Sequence, residues 1–183
     1  LTRVNAVTAV VALLIGAVAA VLLVLTRWQA VHLLSAVWYY RILGVHGMSM
    51  LIFFILFFEM AVLHFTSTAL LNARNAAPRL SWTAFGLMLA GAVIVEWMMW
   101  SGRADVLFTS YVPLRAHPLF YLGVILFAVG ALLVVGIFFA NLAVAKREGR
   151  YEGSTPLVVY GAATAAIISV ITLLHGAAIY IPT

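Results

Sequence analysis

Six side chains in this sequence combine the chemistry of proton transfer or metal ligation with an apolar setting: His46, Glu59, His64, Glu96, His117 and His175. Neutral imidazole is the commonest protein ligand for metals and for haem iron. A carboxyl group inside a membrane either carries protons or hydrogen-bonds to a neighbouring helix. The chain has no cysteine, which removes disulfides, zinc fingers, thiolate haem ligands, iron–sulfur clusters and cysteine nucleophiles together. Any metal must therefore be held by histidine, methionine or carboxylate.

The elements that must position these groups follow from composition. Of 183 residues 66% are hydrophobic and only 8% charged, against about 45–50% and about 25% in soluble domains. A polar surface for a soluble enzyme cannot be built from these residues, and disorder is equally excluded. Five stretches, approximately 4–26, 42–66, 81–101, 117–145 and 157–181, reach the length of about 20 apolar residues that a spanning helix needs. The reading is an all-α integral membrane protein, a single membrane domain over residues 1–183. The first stretch is too long for a signal-peptide core and no small-residue cleavage site follows it. Ser154-Thr155-Pro156 reads as a helix start, and Pro113 and Pro118 bracket a break between spans three and four. Trp28, Trp38, Tyr39 and Tyr40 form an aromatic belt around an amphipathic run, expected as a membrane-surface helix between the first two spans.

Cations split six to four across alternating gaps: Arg3, Arg74, Arg79, Lys146, Arg147 and Arg150 on the N-terminal side, Arg27, Arg41, Arg103 and Arg115 on the other. The positive-inside rule then puts the N-terminus in the cytoplasm. The net charge of +5 makes no basic stripe, so the partner is membrane lipid and not nucleic acid. In this orientation His46, His117 and His175 fall near the outer face and His64 near the inner one, with Glu59 and Glu96 at mid-membrane. His46 is followed by Gly47, which lets a flat ring approach the backbone, and by Met50, Phe53 and Phe57 at i+4, i+7 and i+11. That spacing leaves haem ligation and plain helix packing both open. A self-contained cytochrome b, with His46 paired to His175 or His117 across one haem, is the alternative from a different class.

Residues 45–54, VHGMSMLIFF, closely resemble the second helix of subunit I of the haem-copper oxygen reductases. Further segments follow in order. Ala77-Pro78-Arg79-Leu80 resembles the turn that opens the family's third helix, and Thr109-Ser110-Tyr111-Val112-Pro113-Leu114 resembles its T-x-YPPL segment. His117-Pro118-Leu119-Phe120-Tyr121-Leu122-Gly123 and Thr155-Pro156-Leu157-Val158 are similar to the starts of helices four and five in the B-type branch.

The resemblance implies that His46 is an axial ligand of a low-spin haem, of type b or a, with Gly47, Met50 and Phe53 as haem wall. It implies a component of a respiratory terminal oxidase that reduces oxygen to water and translocates protons, in a bacterial or archaeal inner membrane. The related nitric oxide reductases share the architecture and stand second within this class. Copper and a high-spin haem are expected on a remainder of subunit I, separate or continuous with this chain. A copper-carrying subunit II and a periplasmic cytochrome c or other donor are the further partners the resemblance implies. The segment 71–77 carries no acid where A-type members have an Asn/Asp-rich proton entrance. Accessibility labelling of the native membrane is expected to find residues 146–153 on the cytoplasmic side and residues 102–115 outside; the opposite pattern contradicts the charge reading.

Overall fold

The computed structural model describes residues 1–106, 110–111 and 113–180, the side chain of Tyr180 excepted. Among these residues the chain is all-helical, with five helices long and apolar enough to cross a membrane. They are α1 (Thr2–Arg27), α2 (Ala36–Ala69), α3 (Pro78–Trp100), α4 (Pro118–Glu148) and α5 (Leu157–Tyr180). The five expected spans are all present. The last reached to residue 181, outside the described residues, as are Thr109 and Val112 of the T-x-YPPL-like segment.

Two boundaries differ in an instructive way. α2 begins at Ala36 rather than near residue 42, so Trp38, Tyr39 and Tyr40 belong to its first turns, and residues 28–35 form turns rather than the expected surface helix. Extending a long helix adds one hydrogen bond per residue fixed, whereas a separate short helix would need its own nucleus. Pro156 sits one position before α5, its carbonyl accepting from Val159 N at 2.9 Å. Pro78 and Pro118 each open a helix, where a missing N–H costs nothing.

Small residues decide how closely the helices approach. The buried positions of α1 are Asn5, Ala9, Ala12, Gly16, Ala19, Leu23 and Thr26, alternately four and three residues apart. This 3.5-residue period lays one seam of α1 along the length of α2. α3 and α4 form a second extensive pair beside that of α1 and α2. They touch backbone to backbone: a Cβ on Gly91 would lie 2.7 Å from Phe127 N, and one on Gly130 would lie 2.6 Å from Ala84 O. Apolar side chains gain little from leaving lipid for a helix interface, so close van der Waals approach of this kind supplies much of the association. The outward face of α1, with Val7, Val10, Val11, Leu14, Val18, Val21 and Val24, is exposed.

Ion pairs and hydrogen bonds fasten the two ends. At one end the Arg41 guanidinium forms a two-bonded pair with Asp105, both N–O distances being 3.1 Å, and lies 4.7 Å over the ring of Trp38. At the other end Glu148 pairs with Arg74 and Arg150. Fully buried Asn141 of α4 accepts from Ala76 N at 2.8 Å and donates to Ser67 Oγ at 3.1 Å, joining α4 to α2 and to the α2–α3 loop.

Replacing Gly91 by Ala should lower the stability of the purified protein by about 1–3 kcal/mol, the usual cost of overpacking. Gly86→Ala, whose new methyl meets nothing within 4 Å, should be neutral or slightly stabilising because Ala is the better helix former. Thermal unfolding of both variants in the same detergent checks the contrast.

Candidate functional site at the His46 turn

α2 is not wound uniformly. Two stretches, Met48–Phe54 and Phe65–Ala69, take the wider π-type winding, and each begins within two residues of a histidine, His46 or His64. Such winding is rare and recurs at functional sites. In the second stretch the loosened carbonyls are satisfied by hydroxyls one turn on: Thr66 and Ser67 donate to Val62 O and Leu63 O at 2.8 and 2.7 Å, and Thr68 donates to His64 O at 2.6 Å.

The first stretch carries the candidate ligand. His46 is half-buried, and its Nδ1 lies 2.8 Å from the carbonyl oxygen of Gly16 on α1. A carbonyl only accepts, so Nδ1 carries a proton, and in the neutral ring the lone pair is then on Nε2. Nε2 makes no hydrogen bond within the described residues. This is the arrangement a histidine ligand needs: one nitrogen fixed by a second group, the other available.

Gly16 sits against Met50, whose side chain would have to move for any larger residue. A Cβ there would run into Cγ of Met50 and come within 2.7 Å of its Sδ. Glycine therefore lets α1 close on the turn that holds His46. Met50, half-buried, thus faces α1, as the His46 ring does, and Gly47 between them is buried. Phe53 and Phe57 take another direction. Phe53 is 2% exposed and packs edge-on against Phe127 of α4 at 5.0 Å, and Phe57 packs on Phe127 and Phe85 at 5.5 and 6.2 Å. The stripe expected as one face is divided because the wide winding shifts the phase between residues 50 and 53.

The carboxyls have partners on neighbouring helices. Ser49 donates to Glu96 Oε1 at 2.6 Å and Trp100 Nε1 donates to Glu96 Oε2 at 3.0 Å. Glu96 lies one turn from the end of α3, level with the His46 turn, and not at mid-membrane as expected. Glu59 accepts from Ser169 on α5.

His64, His117 and His175 have surroundings of their own. His117 caps its own helix, Nδ1 accepting from Leu119 N at 3.2 Å, and its backbone N–H donates to Arg103 O. His175 is exposed on α5. His64 is 3% exposed, buried within the bundle, and its Nε2 has no partner among the described residues. Nor do three histidine or acidic side chains converge there on a metal-sized site. Sequence reasoning missed Gly16, Ser49 and Trp100. The 4–3 alternation of small residues in α1 was the available sign for Gly16.

Five helices long and apolar enough to cross a membrane define the class: a multi-pass membrane protein. The family model for cytochrome c and quinol oxidase polypeptide I matches residues 1–183, and the chain belongs to that family. A curated relative, cytochrome c oxidase subunit 1 of Thermus thermophilus, is 30% identical over 122 residues, 67% of this chain. The match spans 21% of that relative's length.

Because Gly16 and Met50 compete for one space, Gly16→Ala should destabilise the protein by about 1–3 kcal/mol. Adding Met50→Ala should return part of that loss, so the double variant unfolds above Gly16→Ala alone. Equal or additive losses in unfolding measurements contradict the contact.

Proposed function

We infer that the chain is the low-spin-haem portion of a haem-copper terminal oxidase, one that reduces oxygen to water and moves protons across a bacterial or archaeal inner membrane. The observation that carries this reading is His46, with Nδ1 held on the Gly16 carbonyl and Nε2 unengaged, on a helix of the oxidase polypeptide I family. The residues fit the group. His46 would ligate iron through Nε2, Gly47 would leave room for the ring beside the backbone, and Met50 would supply an apolar, polarizable wall. Phe53, expected in the same wall, faces α4 and packs on Phe127 instead. When bound, a low-spin haem supplies a one-electron relay.

The chain's own part is then positional. The Gly16 carbonyl fixes the tautomer and rotation of the imidazole and raises its basicity. The surrounding apolar side chains exclude water and set a low dielectric around the charge. Oxygen chemistry calls for copper and a second haem. With no three ligand side chains converging among the described residues, those centres would be held by polypeptide beyond this segment. The match to only a fifth of the Thermus relative supports the same view. The copper-carrying subunit II and a periplasmic donor complete the proposed assembly. The segments around His117 and Pro156 favour the B-type branch, and the six-to-four cation split favours a cytoplasmic N-terminus. A self-contained cytochrome b has less support, because His117 is engaged as a helix cap and His175 is exposed.

His46→Ala in the intact complex should abolish the low-spin haem signal, whereas His64→Ala should leave it in place. Difference spectra of the two variants check this, and an unchanged spectrum in the His46 variant removes the assignment.

A further inference from the structure

The turn that carries His46 is held from two sides. On the α1 side the Gly16 carbonyl takes the ring of His46 itself, at 2.8 Å. On the α3 side the attachment is three residues further on. Ser49, fully buried in the π-type stretch, donates to Glu96 Oε1 at 2.6 Å, and Glu96 is in turn steadied by Trp100 Nε1 on its second oxygen at 3.0 Å. A wide turn lacks the regular i→i−4 ladder, so it has more freedom to slide between windings than the α-helix on either side. A buried hydroxyl bonded across to a carboxyl on a neighbouring helix removes that freedom, and in an apolar interior leaving either group unpaired is costly.

Resting on the haem reading above, we propose that Glu96 is a positioning residue for the iron-ligating histidine, acting through Ser49 to fix the winding and register of the His46 turn against α3. Glu96 does not touch the iron ligand in this scheme. Its carboxyl holds Ser49, Ser49 holds the turn, and the turn sets where the His46 ring meets the Gly16 carbonyl. Trp100, one turn beyond Glu96 on the same helix, keeps the carboxyl aimed at α2 instead of at the helix end. The three side chains form one device, and removing either link should release the same constraint.

The test uses the haem-loaded membrane complex and reads the low-spin ferric resonance together with haem retention. Ser49→Ala and Glu96→Leu should each shift and broaden the resonance and weaken haem retention about tenfold, the range for losing an outer-shell partner of a metal ligand. The double variant should match either single one, since both break the same link. Glu96→Gln should stay near wild type, because its oxygen can accept from Trp100 and its amide can donate to Ser49 Oγ. Glu59→Leu, which breaks the comparable bond to Ser169 elsewhere on α2, should leave the resonance unmoved. Unshifted resonances in Ser49→Ala and Glu96→Leu, with haem retained, overturn the proposal, as do effects that simply add. Absence of a low-spin signal from the wild-type complex, or its survival in His46→Ala, overturns the haem reading itself and is distinguishable from these outcomes.

Discussion

Helices surrounded by hydrocarbon have no water to escape from, so burying one more leucine between them gains little. What holds this bundle is closeness of backbone, made possible wherever a side chain is missing. Gly91 and Gly123 allow α3 and α4 to meet at their main chains, and Gly130 repeats the contact one heptad further along, against Ala84. Gly16 does the same for α1 against Met50. At Gly16 the close approach has a chemical consequence. It brings a main-chain carbonyl within hydrogen-bonding distance of His46, which no bulkier residue would permit without moving Met50. The spacing of the fold and the orientation of the candidate ligand are therefore set by one constraint.

The polar groups inside the bundle obey a second rule, that a dry interior leaves few groups unpaired. Ser49 with Glu96, Ser169 with Glu59, and Ser67 with Asn141 each join α2 to a different helix, α3, α5 and α4 respectively. α2 is thus the element to which the other four are fastened. It also carries both stretches of wide winding, where hydroxyl side chains and neighbouring helices take over hydrogen-bonding work that a regular helix would do alone. The candidate redox ligand sits at the start of one such stretch, on a helix hydrogen-bonded to each of the other four.

Much of this was legible in the sequence, for reasons that can be stated residue by residue. The five spans follow from uninterrupted apolar length, and Pro78 and Pro118 mark helix starts because proline fits the first turn and nowhere further in. His46 stood out because imidazole is costly inside an apolar helix. Its partner did not, since the bond is made by the carbonyl of Gly16, and a backbone carbonyl has no residue type to announce it. Glu96 was visible but its partner was not, because Ser49 is an ordinary residue in helices and the bond crosses between two of them. The division of Met50 from Phe53 was invisible to a 3.6-residue period, which assumes the uniform winding that α2 abandons at Met48. Likewise, the run at residues 38–40 reads as part of a separate surface helix until α2 is seen to start ahead of it.

The central claim is that one nitrogen of His46 is committed to Gly16 so that the other can serve iron. A high-resolution density map of the intact membrane complex, inspected at this one ring, tests it most directly. The account predicts a haem iron on Nε2 with Nδ1 still on the Gly16 carbonyl. A ring with no metal on it, or iron bound through Nδ1 with the Gly16 bond broken, would contradict it.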